Sequence, residues 1–95
     1  MKYSFEWDDE KNETNFEKHE VWFEEARTIW ADAHGSEAFD PDNSDDEDRF
    51  VRIGVSSLNN TLLVVFCERD GGHKIRIISA RKATPRERKQ YEEGL

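Results

Sequence analysis

Polar and apolar positions alternate from the start of the chain. In KYSFEW, Tyr3, Phe5 and Trp7 fall on one side and Lys2, Ser4 and Glu6 on the other, the period of a half-buried strand. From Asp8 or Asp9 the period lengthens: Asn12, Asn15, Phe16 and His19 share one stripe of a helix reaching about Glu20. Its acidic first turn suits the positive end of the helix dipole. A second helix over roughly 22–32 places Phe23, Ala26, Ile29 and Trp30 on one face. Residues 33–48, with Gly35, Pro41 and a run of Asp and Glu, read as a solvated loop.

Three strands and a helix follow. In RFVRIGV, Val51, Ile53 and Val55 share a face while Phe50 and Arg52 point the other way. TLLVVFC is apolar at nearly every position, as a central strand covered on both sides would be. Asn59-Asn60 suits a tight hairpin between these two, and Asp70-Gly71-Gly72 a second hairpin into KIRIIS. On strict alternation Ile75 and Ile77 share one face of that strand, and Arg76 and Ile78 the other. The last helix is the best marked, with Thr84 as N-cap, Pro85 at its first position, Glu87 completing a capping box and Gly94 at its end. The order β-α-α-β-β-β-α predicts one α+β domain over residues 1–95, an antiparallel sheet with helices packed on it.

Ninety-five residues leave little room for a second core or a deep enclosed cavity, so a shallow groove is expected. The single cysteine, Cys67, excludes an internal disulfide and fits a reducing compartment. No secretory leader is visible, and the longest apolar run, LLVVFC, is far short of the roughly 18 residues a membrane span needs. A cytoplasmic protein without a membrane role is the expectation.

The formal net charge of -8 conceals a split. Residues 1–50 carry five Lys/Arg against seventeen Asp/Glu, and residues 51–95 carry nine against five. Seven of those nine lie in KIRIISARKATPRERK at 74–89. A guanidinium suits phosphate because its planar fork donates two hydrogen bonds and stays charged. Arg76 and Arg81, set among apolar residues, are the stronger anion-binding candidates. Arg86, Arg88 and Lys89 on the helix read more simply as solubilising charge. Lys18-His19 closes the first helix, where the dipole favours positive charge, and is either a phosphate clamp and proton donor or a His packed on the sheet. Glu47 and Arg49, at the junction between the acidic loop and a strand, are either a proton-transfer pair or a structural one.

Other chemistries find no support. His34 and His73 lack metal-ligand spacing, so no zinc site or other metal is expected. Asp40, Asp42, Ser44 and Asp46 repeat part of a calcium loop, but Asp45 stands where Gly is needed and Val51 where the bidentate Glu belongs. There is no phosphate-binding glycine loop, dinucleotide fingerprint or nucleophile motif, and no cofactor is expected.

Four segments together resemble the BrnT family, the toxin half of a bacterial type II toxin–antitoxin pair. FEWDDEKNETNFEKH at 5–19 is similar to the family's opening pattern and FEEA at 23–26 to its second-helix motif. DPDNSDDEDRFVRIG at 40–54 and, most specifically, IRIISARKATPRERKQYE at 75–92 resemble its later segments. Where the family commonly has Gly-Val-Ser before FEEA, this chain has Glu20-Val21-Trp22. The resemblance implies a RelE-like α+β fold and ribonuclease activity on RNA. It also implies a BrnA-like antitoxin with a ribbon-helix-helix DNA-binding domain, a hetero-oligomer that meets DNA only through that partner.

On that basis Arg76 and Arg81 are expected to contact the phosphate, with Arg69 beside them at the hairpin. Glu47 is the candidate base, and His19 with Lys18 the candidate acid and clamp. Arg49, Ser79 and Lys82 are further RNA contacts. The basic strand would hold the RNA while the acidic half stays away from it or meets the antitoxin. The competing reading is a catalytically weak binding module acting mainly as co-repressor with that antitoxin.

Overall fold

The computed structural model describes residues 3–44 and 47–94. Its centre is the antiparallel trio read from the second half of the chain: β3 (Phe50–Val55), β4 (Thr61–Arg69) and β5 (Lys74–Lys82). The N-terminal strand β1 (Ser4–Glu6) lies beside β5 in parallel, so the sheet is mixed instead of purely antiparallel. A fifth strand, β2 (Ser36–Phe39), pairs with β3 inside the stretch expected to be loop, and the sheet order is β1-β5-β4-β3-β2. All four β2 residues are exposed, which is why no alternation betrays them. Ladder bonds, the Arg52–Glu37 ion pair at 2.7 Å and the Phe39–Phe50 ring contact hold the strand instead. Asp45 and Asp46, central to the calcium-loop pattern, lie outside the described residues.

Among the described residues three α-helices accompany the sheet: α1 (Asp9–His19), α2 (Phe23–Ala26) and α3 (Pro85–Glu93). The second is shorter than its pattern suggests, because residues 27–31 tighten into a 3₁₀ turn in which Thr28 donates its hydroxyl to the Glu25 carbonyl at 2.6 Å. Ala26, Ile29 and Trp30 are buried there all the same. The β3–β4 connection is also longer than the tight hairpin expected, with Val55 opposite Thr61 and five residues between them. Asn59 takes the left-handed conformation at φ 65°. The last helix has the full capping box of Thr84 and Glu87. No helix among the described residues is long and apolar enough to cross a membrane.

The core lies between the first two helices and one face of the sheet: Val21, Phe23, Ala26, Ile29 and Trp30 pack on Leu62, Val64, Phe66, Ile75, Ile77 and Ala80. Two buried asparagines join the layers. Asn15 donates to the carbonyls of Val21 and Ala80 at 2.8 Å each and accepts the Ala80 N–H at 3.0 Å. Asn12 accepts the Phe23 N–H at 2.7 Å and donates to Glu24 at 2.8 Å. Both therefore satisfy backbone groups that burial would otherwise leave unpaired at a cost of about 1–3 kcal/mol each.

The turn between α1 and α2 carries visible local cost. Glu20 adopts φ 58°, ψ 31°, the left-handed region, and Trp22 occupies the N-cap without a capping side chain. These are the positions where the resembled family commonly has Gly and Ser. Glycine enters that region without Cβ crowding but loses more chain entropy on folding. Glu20→Gly is therefore expected to stabilise the protein by about 0.5–1 kcal/mol, read as a rise in urea midpoint at unchanged slope. An unchanged or lowered midpoint would show that the Glu20 conformation is not strained.

Candidate functional site

A single irregularity in β5 organises the basic residues. Val65 stands opposite Ser79 and Phe66 opposite Ile77, so Ile78 is an extra residue, a β-bulge. Before it Ile75 and Ile77 point into the core, and after it Ala80 does. The side chains facing the other way are then Arg76, Ser79 and Arg81, opposite Cys67, Val65 and Leu63 of β4. Arg76 and Arg81 are an odd number of residues apart and would fall on opposite faces of a regular strand. The bulge puts them on one.

Each of these arginines has a carboxylate partner. Arg76 donates to Glu6 of the adjoining β1 at 3.0 Å, with Lys74 at 3.8 Å from the same carboxylate. Across the strand pair, Glu47 binds Arg69, and the Cys67 thiol acts on the Glu47 carboxyl. The Arg69 guanidinium holds the Glu47 carboxyl below its ordinary range, with Cys67 and nearby Arg49 acting the same way. Burial, then the Glu47 carboxylate, push the Cys67 thiol up, so it stays protonated and unreactive. Farther along β5, Arg81 binds Glu87 through both nitrogens at 2.7 and 2.9 Å. This pair and the Thr84 backbone N–H pull Glu87 down to about 2.

The outer edge of β5 is open beyond the end of β1, and there a groove of about 480 Å³ runs between α1 and β5. Lys11, Thr14, Lys18, His19 and Ser79 line it, with Ile78 in its floor and Asp8 and Glu10 at one end. Ser79 thus connects the arginine-bearing face with Lys18 and His19. Of the expected residues, Arg76, Ser79 and Arg81 share a face, Glu47 and Arg69 stand beside it through Cys67, and Lys18 and His19 border it from the helix. Lys82 lies apart, lining a different groove with Arg88 and Glu92.

Glu6, Cys67, Lys11 and Thr14 were not anticipated. Glu6 sits on the polar side of the first strand, and only the parallel pairing to β5 brings it to Arg76. Cys67 reads as core, and nothing local announces its contact with Glu47. Lys11 falls on α1 four residues before Asn15, a spacing that places it on the same side of the helix once the groove is known.

Arg52, also unexpected as a contact, belongs to the core side. Its guanidinium lies 5.5 Å from the Trp30 ring and binds Glu37. A Cβ on Gly35 would come within 2.6 Å of it, so that glycine makes room.

Two comparisons with known proteins give the chain's relatives. The sequence profile of the family described as the ribonuclease toxin BrnT of type II toxin–antitoxin systems matches residues 7–87. The crystal structure of the Brucella abortus ribonuclease toxin BrnT is similar over 86% of this chain and 97% of that one, at 25% identity and a TM-score of 0.60. No curated protein sequence matches.

The depressed Glu87 carboxyl ties stability to pH. Its folded value of about 2 lies below the ordinary 4.5, so the folded state binds fewer protons in that window. The stabilisation is fully present above pH 4.5 and is lost as pH falls toward 2. Glu87→Gln keeps the capping box but cannot titrate. The variant is expected to start less stable at neutral pH and to lose less on acidification, measured by urea unfolding across that range. The residual acid slope comes from Asp32 and Glu47, also held low. Identical slopes in parent and variant would rule out the Arg81–Glu87 pair as a contributor.

Proposed function

Because the chain belongs to the BrnT family of ribonuclease toxins of type II toxin–antitoxin systems, we propose that it is a metal-independent endoribonuclease. Its reaction is RelE-like, and a BrnA-like ribbon-helix-helix antitoxin holds it inactive in a hetero-oligomer. The observation that carries the reading is the bulge-set alignment of Arg76, Ser79 and Arg81 on one open face, with Lys18 and His19 bordering it.

An RNA strand laid along this face presents one phosphate to Arg76 or Arg81. The ribose 2′-OH attacks its own 3′-phosphate in line, forming the O2′–P bond and breaking the bond to the 5′-oxygen. Glu47 takes the proton from the 2′-OH, and His19 with Lys18 returns one to the leaving oxygen. The arginines stabilise the charge that grows on phosphorus-bound oxygen. No step in this scheme calls for a metal ion. Glu47 is held low by Arg69, which keeps it ionised but a weak base. Substrate that draws Arg69 toward its phosphate releases the carboxylate and restores its basicity.

The carboxylate pairing of Arg69, Arg76 and Arg81 also favours a second reading, a weak toxin acting mainly as co-repressor through the DNA-binding antitoxin. Phosphate must displace Glu6, Glu47 or Glu87 before it gains a contact. Induction without the antitoxin separates the two, since a pure co-repressor does not arrest growth.

Transcript cleavage by purified protein is expected to persist in EDTA; abolition by chelator sinks the metal-free scheme. Arg76→Ala is expected to slow cleavage about tenfold or more, the loss of a charge-assisted contact worth roughly 1.5–3 kcal/mol. Its unfolding should shift little, because the Arg76–Glu6 pair is partly exposed. Arg81→Ala is expected to lose cleavage and stability together, since it also frees Glu87. Parental cleavage by both variants would remove the strand from the site.

A further inference from the structure

The β3–β4 loop is held more firmly than its surface position requires. The buried Ser56 hydroxyl donates to Glu25 at 2.6 Å and accepts the backbone N–H groups of Leu58 and Asn60 at 3.2 Å each. Asn60 adds a bond to the same Glu25 oxygen at 2.8 Å, and Ser57 N–H binds Thr28 at 2.9 Å. This scaffold fixes the loop against α2, yet it presents Leu58 to water with 67% of its surface exposed. Beside it stands Trp22, 42% exposed and stacked on Phe16 with ring centroids 4.2 Å apart. The two line one shallow depression of about 550 Å³, rimmed by Glu24 and Glu25. Trp22 also sits where a capping Ser, Thr, Asp or Asn would stabilise α2. A large apolar residue there gives up helix stability for a surface the fold does not bury.

We propose that Trp22 and Leu58 form the docking surface for the partner antitoxin, which meets them with an apolar side chain flanked by Lys or Arg. The proposal rests on the reading of this chain as one half of a toxin–antitoxin pair. Charge complementarity selects that occupant: a partner that also binds DNA carries positive charge, and the rim here is acidic in a chain of net charge -8. The geometry supplies the rest. A stacked aromatic anchor beside an aliphatic one on a backbone fixed before binding gives contact area at low ordering cost. The patch is built from α2 and the β3–β4 loop and includes none of Arg76, Arg81, Glu47 or His19. Its effect on binding is therefore separable from catalysis.

The test titrates a purified BrnA-like antitoxin into this protein, using parent, Leu58→Asp and Trp22→Ala, by calorimetry and stopped-flow fluorescence. Leu58 is exposed, so its replacement does not disturb the core. Leu58→Asp is expected to raise Kd about tenfold or more, chiefly through faster dissociation. Thermal unfolding and RNA cleavage by the free variant should match the parent. Unchanged affinity in both variants overturns the proposal. So does a parent dimer in sedimentation that Leu58→Asp converts to monomer, since the patch then belongs to a second copy. A parent that cleaves no RNA but loses its antitoxin with Leu58→Asp overturns the nuclease reading and leaves the docking surface standing.

Discussion

The extra residue in β5 and the side chain that holds the strand just beyond it determine most of what this protein presents to a ligand. Inserting Ile78 opposite the Val65–Phe66 step switches the parity of everything after it. Ile77 and Ala80 then enter the core while Arg76, Ser79 and Arg81 emerge together on the opposite face. A bulge disturbs the ladder and leaves backbone groups to be satisfied elsewhere. Past the bulge, where β1 no longer covers the edge of β5, Asn15 bonds both the N–H and the carbonyl of Ala80 from a helix sixty-five residues away in sequence. The same amide holds the Val21 carbonyl, so the start of α2 and the bulged strand share one clamp. Position of α1, and with it of Lys18 and His19 against β5, follows from this contact.

The division of charge along the sequence does not survive as a division in space. The acidic first half supplies Glu6 to Arg76, Glu47 to Arg69 and Glu37 to Arg52. Of these, only Glu6 meets the basic strand itself, while Glu47 and Glu37 pair with arginines of β4 and β3. Exposed pairs of this kind contribute little to stability, about 0–1 kcal/mol. Their larger consequence is for binding: an anion gains only the difference between its own contact and the one it displaces. That raises the selectivity of the face for multiply charged, correctly spaced ligands over single phosphates, since each displaced carboxylate must be matched by a new contact.

How far the sequence revealed this depends on how local each feature is. The final helix was read down to its cap, because Thr84, Pro85 and Glu87 act within four residues of one another. The β3–β4–β5 trio and the first helix were legible from period alone. The strand Ser36–Phe39 was not, since an edge strand with every residue exposed has no buried face to mark it. The parallel pairing of β1 and the contact of Cys67 with Glu47 were equally silent, being long-range consequences of sheet order. The bulge matters most among the misses. Strict alternation grouped Arg76 with Ile78, and a one-residue slip is invisible in a strand apolar on both faces. Asn12 and Asn15 were placed on the correct stripe of α1, but polar residues on a helix face do not say whether they meet water or backbone.

The α1–α2 turn shows how tertiary contacts outweigh local preference here. A non-glycine residue in the left-handed region costs roughly 1–2 kcal/mol, and an absent N-cap costs about 1 more. Between these two positions lies Val21, fully buried in the core, worth roughly 1.5–3 kcal/mol by transfer alone. That nearly balances the two costs without resolving them. The Asn15 bond to the Val21 carbonyl and the Phe16–Trp22 stack move the balance toward the observed turn, since a satisfied buried carbonyl avoids a further 1–3 kcal/mol, roughly. The turn is therefore imposed by its surroundings. A sequence that keeps Asn15 and Val21 can vary the residues on either side, and this chain has used that freedom to place an aromatic ring at the surface.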